Sequence, residues 1–103
     1  MIESLENMLA KGVDNPMLRF GLGKAYLDVD NPVVAAEHLQ RCVALDPGYS
    51  AAWKLLGKAL TQQNDKDGAR AAWQQGLDAA QRKGDKQNEK EITVFLRRLE
   101  RTG

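Results

Sequence analysis

Apolar residues return every three or four positions along almost the whole of this 103-residue chain, and no run alternates strictly between apolar and polar. The period is that of an amphipathic helix. Gly, Pro and Asn interrupt it at intervals of roughly 15 residues, which divides the chain into about six helical segments. The first is predicted over residues 2–11, with Ile2, Leu5 and Leu9 on one face and Gly12 as its stop. Asn15 and Pro16 start the second, the Asn as a cap and the Pro at a first-turn position where its missing N–H does no harm; it runs to about Asp28. Asn31 and Pro32 start the third in the same way. It carries Val34, Ala35, Leu39, Cys42 and Val43 and ends before Pro47-Gly48. Ser50 is the expected cap of a fourth helix reaching about Gln62, and Asn64-Asp65 opens a fifth with Ala69, Ala72, Trp73 and Leu77. The sixth begins near Asp85 and displays Ile92, Phe95, Leu96 and Leu99, with residues 100–103 as a polar end expected to fray. Connections this short force neighbouring helices to pack antiparallel.

The chain also repeats itself. Leu22-Gly23-Lys24-Ala25 returns as Leu56-Gly57-Lys58-Ala59 after 34 residues, a period in the range of stacked helical hairpins. Counted from Ser50, one repeat shows Trp53, Leu56, Gly57, Leu60, Ala69, Trp73 and Gly76; counted from Pro16, the other shows Leu22, Gly23, Tyr26, Ala35, Leu39, Cys42 and Pro47. Together these residues resemble the tetratricopeptide (TPR) pattern W-x2-L-G-x2-Y, A-x3-F, P over residues 16–83. The resemblance implies an all-α fold in which antiparallel helical hairpins stack as a short right-handed superhelix. Independently of the family, Gly23 and Gly57 with Ala35 and Ala69 are small where paired helices must approach, and Tyr26, Leu60, Leu39 and Trp73 fill the space around them.

The chain departs from the pattern at three places. Arg19 stands where the first repeat should have its tryptophan, and Gln81 where the second should have its proline. A third period would put Lys90 and Glu91 at the Leu-Gly places, but the apolar stripe of the last helix falls several residues later. We therefore expect one domain over residues 1–103, with a capping helix over 1–13, repeats over 16–49 and 50–83, and a solvating helix over 84–103 that covers the apolar side of the fifth.

Composition narrows the class further. With 43% hydrophobic and 28% charged residues the chain is an ordinary globular one, and a net charge of +1 gives no global field toward nucleic acid or anionic lipid. One cysteine cannot form an internal disulfide, which suits the cytoplasm. The first nine residues contain Glu3 and Glu6 and no basic start, unlike a signal peptide or membrane anchor. His38 and Cys42 share a helix face, but two ligands are too few for a metal, so they are read as a surface imidazole and a core thiol. Arg97, Arg98, Arg101, Lys83, Lys86 and Lys90 form a basic cluster, yet Glu89, Glu91 and Glu100 interleave with it and no aromatic is spaced to stack on bases.

A nucleophile beside a base, a carboxylate pair or a phosphate-binding loop is not suggested anywhere, so neither enzyme activity nor a cofactor is expected. In proteins that this one resembles, the first helix of each repeat lines a concave groove that holds a peptide. Helix geometry then selects Met17, Phe20, Lys24 and Leu27 on the second helix, and Ala51, Lys54, Lys58 and Thr61 on the fourth. Apolar residues beside three lysines would suit a peptide with acidic and apolar residues. One subset of the family grips chaperone C-termini with a lysine, two asparagines, and a further lysine and arginine. Here Phe20 and Lys24 take the first two of those places and Leu55 the next, so that ligand is disfavoured. The expected function is a non-catalytic protein-interaction module, with a monomer favoured and a homodimer left open. The alternative is a structural subunit that joins a homo-oligomer or larger assembly through its terminal helices.

Overall fold

The computed structural model describes residues 1–102, and these form α1 (Ile2–Ala10), α2 (Pro16–Asp28), α3 (Pro32–Leu45), α4 (Ser50–Gln62), α5 (Lys66–Lys83) and α6 (Lys86–Thr102). Side-chain caps start four of them. The Asn15, Asn31 and Asp65 carboxamide and carboxylate oxygens accept the backbone N–H of Leu18, Val34 and Gly68, and Asp85 accepts that of Asn88 ahead of α6.

Helix α4 begins differently from the sequence expectation. Ser50 is its first residue rather than its cap, because the Tyr49 carbonyl already accepts from Ala52 and Trp53. The buried Ser50 hydroxyl instead donates to Asp85 Oδ2 at 2.7 Å, tying the start of α4 to the start of α6. That makes Asp85 a cap and a cross-link together.

Four helices end in one geometry. A residue with positive φ follows α1, α2, α4 and α5 at Gly12, Asp30, Asn64 and Gly84. The next N–H then reaches back to a carbonyl five residues earlier: Val13 to Met8, Asn31 to Tyr26, Asp65 to Leu60 and Asp85 to Ala80. Asp30 and Asn64 lie one period apart with φ of 61° and 62°, so the turn inside each hairpin is the same turn. Asp and Asn tolerate this left-handed conformation better than other residues with a Cβ.

The hairpins α2–α3 and α4–α5 stack through α3 against α4, and α6 closes on α5. Helix α5 has 18 residues against the 14 of α3. Where α3 is stopped by Asp46-Pro47-Gly48, α5 meets Gln81 and continues until Gly84. The additional turn carries the chain to the place from which α6 can fold back.

Large meets small at the heart of each hairpin. A Cβ on Gly23 would collide with the Leu39 side chain, and one on Gly57 with the indole of Trp73. Gly76 is enclosed in the same way, by Trp53 Cβ at 2.7 Å and Ile92 Cδ1 at 3.0 Å from where its Cβ would stand. Around the first contact lie buried Ala35, Leu39, Cys42, Val43, Ala52, Leu56 and Ala59. Around the second lie Ala69, Trp73, Ile92 and Leu99, with Leu60 packed against both groups. By contrast α1 buries no residue fully, and its backbone approaches α2 closely while reaching α3 only through the Glu6 side chain.

The indole cannot simply withdraw from Gly57, because its N–H donates to the Lys54 carbonyl at 3.0 Å. Gly57→Ala should therefore lower stability by about 1–3 kcal/mol in urea unfolding, the overlap outweighing a helix-propensity gain of about 1 kcal/mol. Trp73→Ala should cost about 3–5 kcal/mol in the same measurement.

Candidate functional site

The first helices of successive hairpins stand side by side, α2 against α4 and α4 against α6. On α2 the expected stripe divides by depth. Met17 is 76% exposed and Lys24 is exposed, while Phe20 and Leu27 are half-buried against the core. The Phe20 ring stacks on Tyr49 with centroids 5.0 Å apart, so it is shared between the surface and the joint of the two hairpins.

On α4 the three-lysine arrangement changes. Lys54 Nζ donates to Glu91 Oε1 of α6 at 2.6 Å, with only 19% of the side chain exposed. Its bond holds the Glu91 carboxyl below the usual carboxylate range. The charge of Lys54 is thus answered within the protein. Lys58 is exposed and places its Nζ 5.4 Å from the centroid of the Phe95 ring. The Thr61 hydroxyl donates to the Gly57 carbonyl at 2.9 Å, and its residue remains exposed. Ala51 is half-buried.

Sequence reasoning missed the third wall. It placed α6 over α5, and α6 also packs on α4 and brings Glu91, Phe95 and Arg98 beside the α4 stripe. Between α4, α5 and α6 lies a cavity of about 330 Å³ with Trp73, Phe95 and Leu99 as its apolar wall and Lys58, Thr61 and Arg98 at its rim. The signal was present in the spacing of Glu91, Phe95 and Arg98, which share a helix face. What hid it was the register slip, which removed any repeat position from which to read that face.

The basic cluster of the chain's end does not form one patch. Lys83 lines a polar hollow with Asp46 and Asp85, Lys86 lies 3.6 Å from Glu89, and Arg98 turns to the α4 side. Bonds from Ser50 and Asn88 hold Asp85 below the usual carboxylate range.

His38 is a correction to the expectation of a surface imidazole. It is buried, 8% exposed, with Nδ1 3.0 Å from Arg19 Nη1, Nε2 3.5 Å from Glu6 Oε1, and its ring stacked on Tyr26. Arg19 occupies the space of the missing tryptophan and also makes paired bonds to Asp14 at 2.8 and 3.1 Å, lowering the Asp14 pKa. A polar network therefore joins α1, α2 and α3 where the second repeat has Trp53. Cys42 is in the core as expected, donating to the Pro16 carbonyl at 3.2 Å, and burial pushes its thiol up to about 11. Among the described residues no three of His, Cys, Asp and Glu come together as metal ligands, and no helix is long and apolar enough to cross a membrane.

Comparison with known proteins decides the family. A tetratricopeptide repeat model matches residues 20–85. The chain belongs to the tetratricopeptide repeat family. The TPR repeat-containing protein PA0015 of Pseudomonas aeruginosa is 67% identical over 101 residues, covering 98% of this chain and 96% of that protein. Among solved TPR-like structures, that of protein BPP2914 from Bordetella parapertussis superposes with a TM-score of 0.85 at 53% identity, covering 99% of this chain and 89% of the other. The Sgt2 TPR domain from Aspergillus fumigatus superposes with a TM-score of 0.71 at 27% identity, over 93% of this chain and 68% of that one. The six helices are accordingly a TPR superhelix of stacked hairpins.

Burial and then the Arg19 charge lower the His38 pKa from 6.5, so the fold holds the neutral imidazole. An unfolded chain binds that proton first. The stability His38 contributes is complete above about pH 6.5 and is lost as pH falls toward the lower folded value. Urea midpoints should decline between about pH 7.5 and pH 5.5, and His38→Gln, which keeps an acceptor toward Arg19 but does not titrate, should flatten that decline.

Proposed function

We propose that this TPR protein is a non-catalytic adaptor that holds a protein segment along the face formed by α2, α4 and α6. The observation that carries the reading is the composition of that face. It sets exposed Met17 and half-buried Phe20, Leu27 and Phe95 beside exposed Lys24, Lys58 and Arg98, a combination matched by a segment with acidic and apolar residues. Met17, Phe20, Lys24 and Leu27 form the α2 part of the proposed site, and Lys58 and Thr61 the α4 part. Lys54 belongs to it as the residue that anchors α6 rather than as a free cation. TPR folds commonly mediate protein–protein interaction, and the curated co-chaperone sgt12 of Aspergillus fumigatus is 29% identical over 84% of this chain, though this chain spans 25% of that protein. A chaperone C-terminus is disfavoured as that segment, because Phe20, Lys24 and Leu55 stand where a carboxylate-gripping set would be. A monomer in the reducing cytoplasm suits a lone buried thiol.

Exposed Met1, Met8 and Val13 at and after α1 favour a second reading, a subunit that associates through this end. Light scattering over a concentration series separates the two. The adaptor stays at monomer mass, and a subunit of an assembly grows in mass and is dissociated by Met8→Lys.

Charge reversal tests the groove itself. Lys24→Glu with Lys58→Glu should abolish selection of acidic, apolar-containing sequences from a displayed peptide library while leaving the circular dichroism melt in place. Lys54→Glu should lower the melt instead, since it sets two carboxylates against each other at the α4–α6 joint. Unchanged selection by the double variant would overturn the basic-groove reading.

A further inference from the structure

We infer that the cavity between α4, α5 and α6 is the anchor of that groove, taking one large apolar side chain of a partner segment whose neighbouring residues are acidic. The inference rests on the adaptor reading and narrows it to the end of the face away from Met17.

Three features select this place. The first is shape: a hollow of about 330 Å³ is walled by Trp73, Phe95 and Leu99, so an entering side chain meets apolar surface on α5 and α6. Trp73 is fixed there by its bond to the Lys54 carbonyl and by its contact with Gly57, and Phe95 leans on it with ring centroids 5.4 Å apart. A wall held this way is ready before a ligand arrives, and binding then spends little on ordering it.

The second feature is charge. Phe95 and Arg98 separate the cavity from a second hollow, of about 240 Å³, on the outer side of α6 that is bordered by Lys90 and half-exposed Val94. Lys58, Lys90 and Arg98 thus flank the Phe95 ring from both sides. The acid among the residues lining these two hollows is Glu91, and Lys54 already binds it. An acidic segment crossing α6 would find cations and a satisfied carboxylate.

The third feature is what stands over the aromatic ring. Lys58 holds its ammonium 5.4 Å from the Phe95 centroid, covering apolar surface that water would otherwise meet. A carboxylate from a ligand can draw that ammonium aside, and the ring is then uncovered for the apolar residue next to it. Acid and apolar side chain would bind as a pair. On the α2 part of the face, Phe20 is already stacked on Tyr49.

The test is a titration of the full chain with an acetylated, amidated hexapeptide containing one leucine among aspartates, followed by backbone amide correlation spectra. The blocked ends remove a terminal carboxylate as the recognised group. Amides of Lys58, Thr61, Phe95 and Arg98 should shift, and a peptide with alanine for the leucine should bind at least about tenfold more weakly, the loss expected for one buried apolar side chain. Arg98→Glu, at an exposed position, should leave the circular dichroism melt in place and weaken the leucine peptide about tenfold, and Lys24→Glu should weaken it less. Shifts at Met17, Phe20 and Lys24 with Phe95 and Arg98 unmoved would overturn the inference and leave the groove reading standing. Equal binding of the leucine and alanine peptides would overturn the anchor. Absence of any shift would overturn it as well, and the library selection then judges the groove separately. Concentration-dependent shifts at the cavity without peptide would assign it to a second copy, whose α1 carries Glu3 and Glu6.

Discussion

The near contact of two helices at a glycine is the constraint on which the remaining structure depends. At Gly23 the Leu39 side chain fills the space of a missing Cβ, and at Gly57 the Trp73 indole does so. Each fixes how close the two helices of a hairpin lie, and hence where the next helix can sit. The indole at the second contact does more than fill volume. Its N–H bonds the Lys54 carbonyl, its ring carries Phe95 of α6, and its edge forms part of the cavity wall. A single side chain therefore links the packing of a repeat to the shape of the surface proposed to bind.

Helix α6 meets two demands that pull in different directions. To end an array it must cover apolar surface and leave a polar outer side, which Ile92 and Leu99 on one face and Lys90, Arg97 and Arg101 on the other provide. To line a binding face it must also leave something apolar accessible. Phe95 and Val94, both incompletely covered, reconcile these needs at the boundary between the two sides. The Lys54–Glu91 pair and the Ser50–Asp85 bond both tie the start of α6 to α4 and hold the helix in that orientation.

The helices were legible because their signals are local. Asn15-Pro16 and Asn31-Pro32 announce starts that the side-chain caps confirm, and the 34-residue recurrence of Leu-Gly-Lys-Ala pointed to the glycine contacts before any coordinates. What escaped depends on partners distant in the chain. Ser50 looked like a cap and is a donor to a residue 35 positions later; His38 looked exposed and is buried because Arg19 replaces a tryptophan and makes room for an ionic network. The spacing of Lys24 on α2 and of Lys54 and Lys58 on α4 predicts three free cations, but the loss of Lys54 to Glu91 follows from the position of α6, which lies outside the repeat's register.

The modest hold on α1 gives the molecule a direction. The backbone of α1 packs closely on α2, its further tie is the Glu6–His38 contact to α3, and none of its residues is fully buried. At the other end α6 inserts Ile92 and Leu99 and is bonded to α4 at two points. In a one-dimensional stack, opening begins where the fewest interfaces must break. The array should therefore unzip from its N-terminal edge, with amide protons of α1 exchanging with solvent while those of α4 and α5 are still protected.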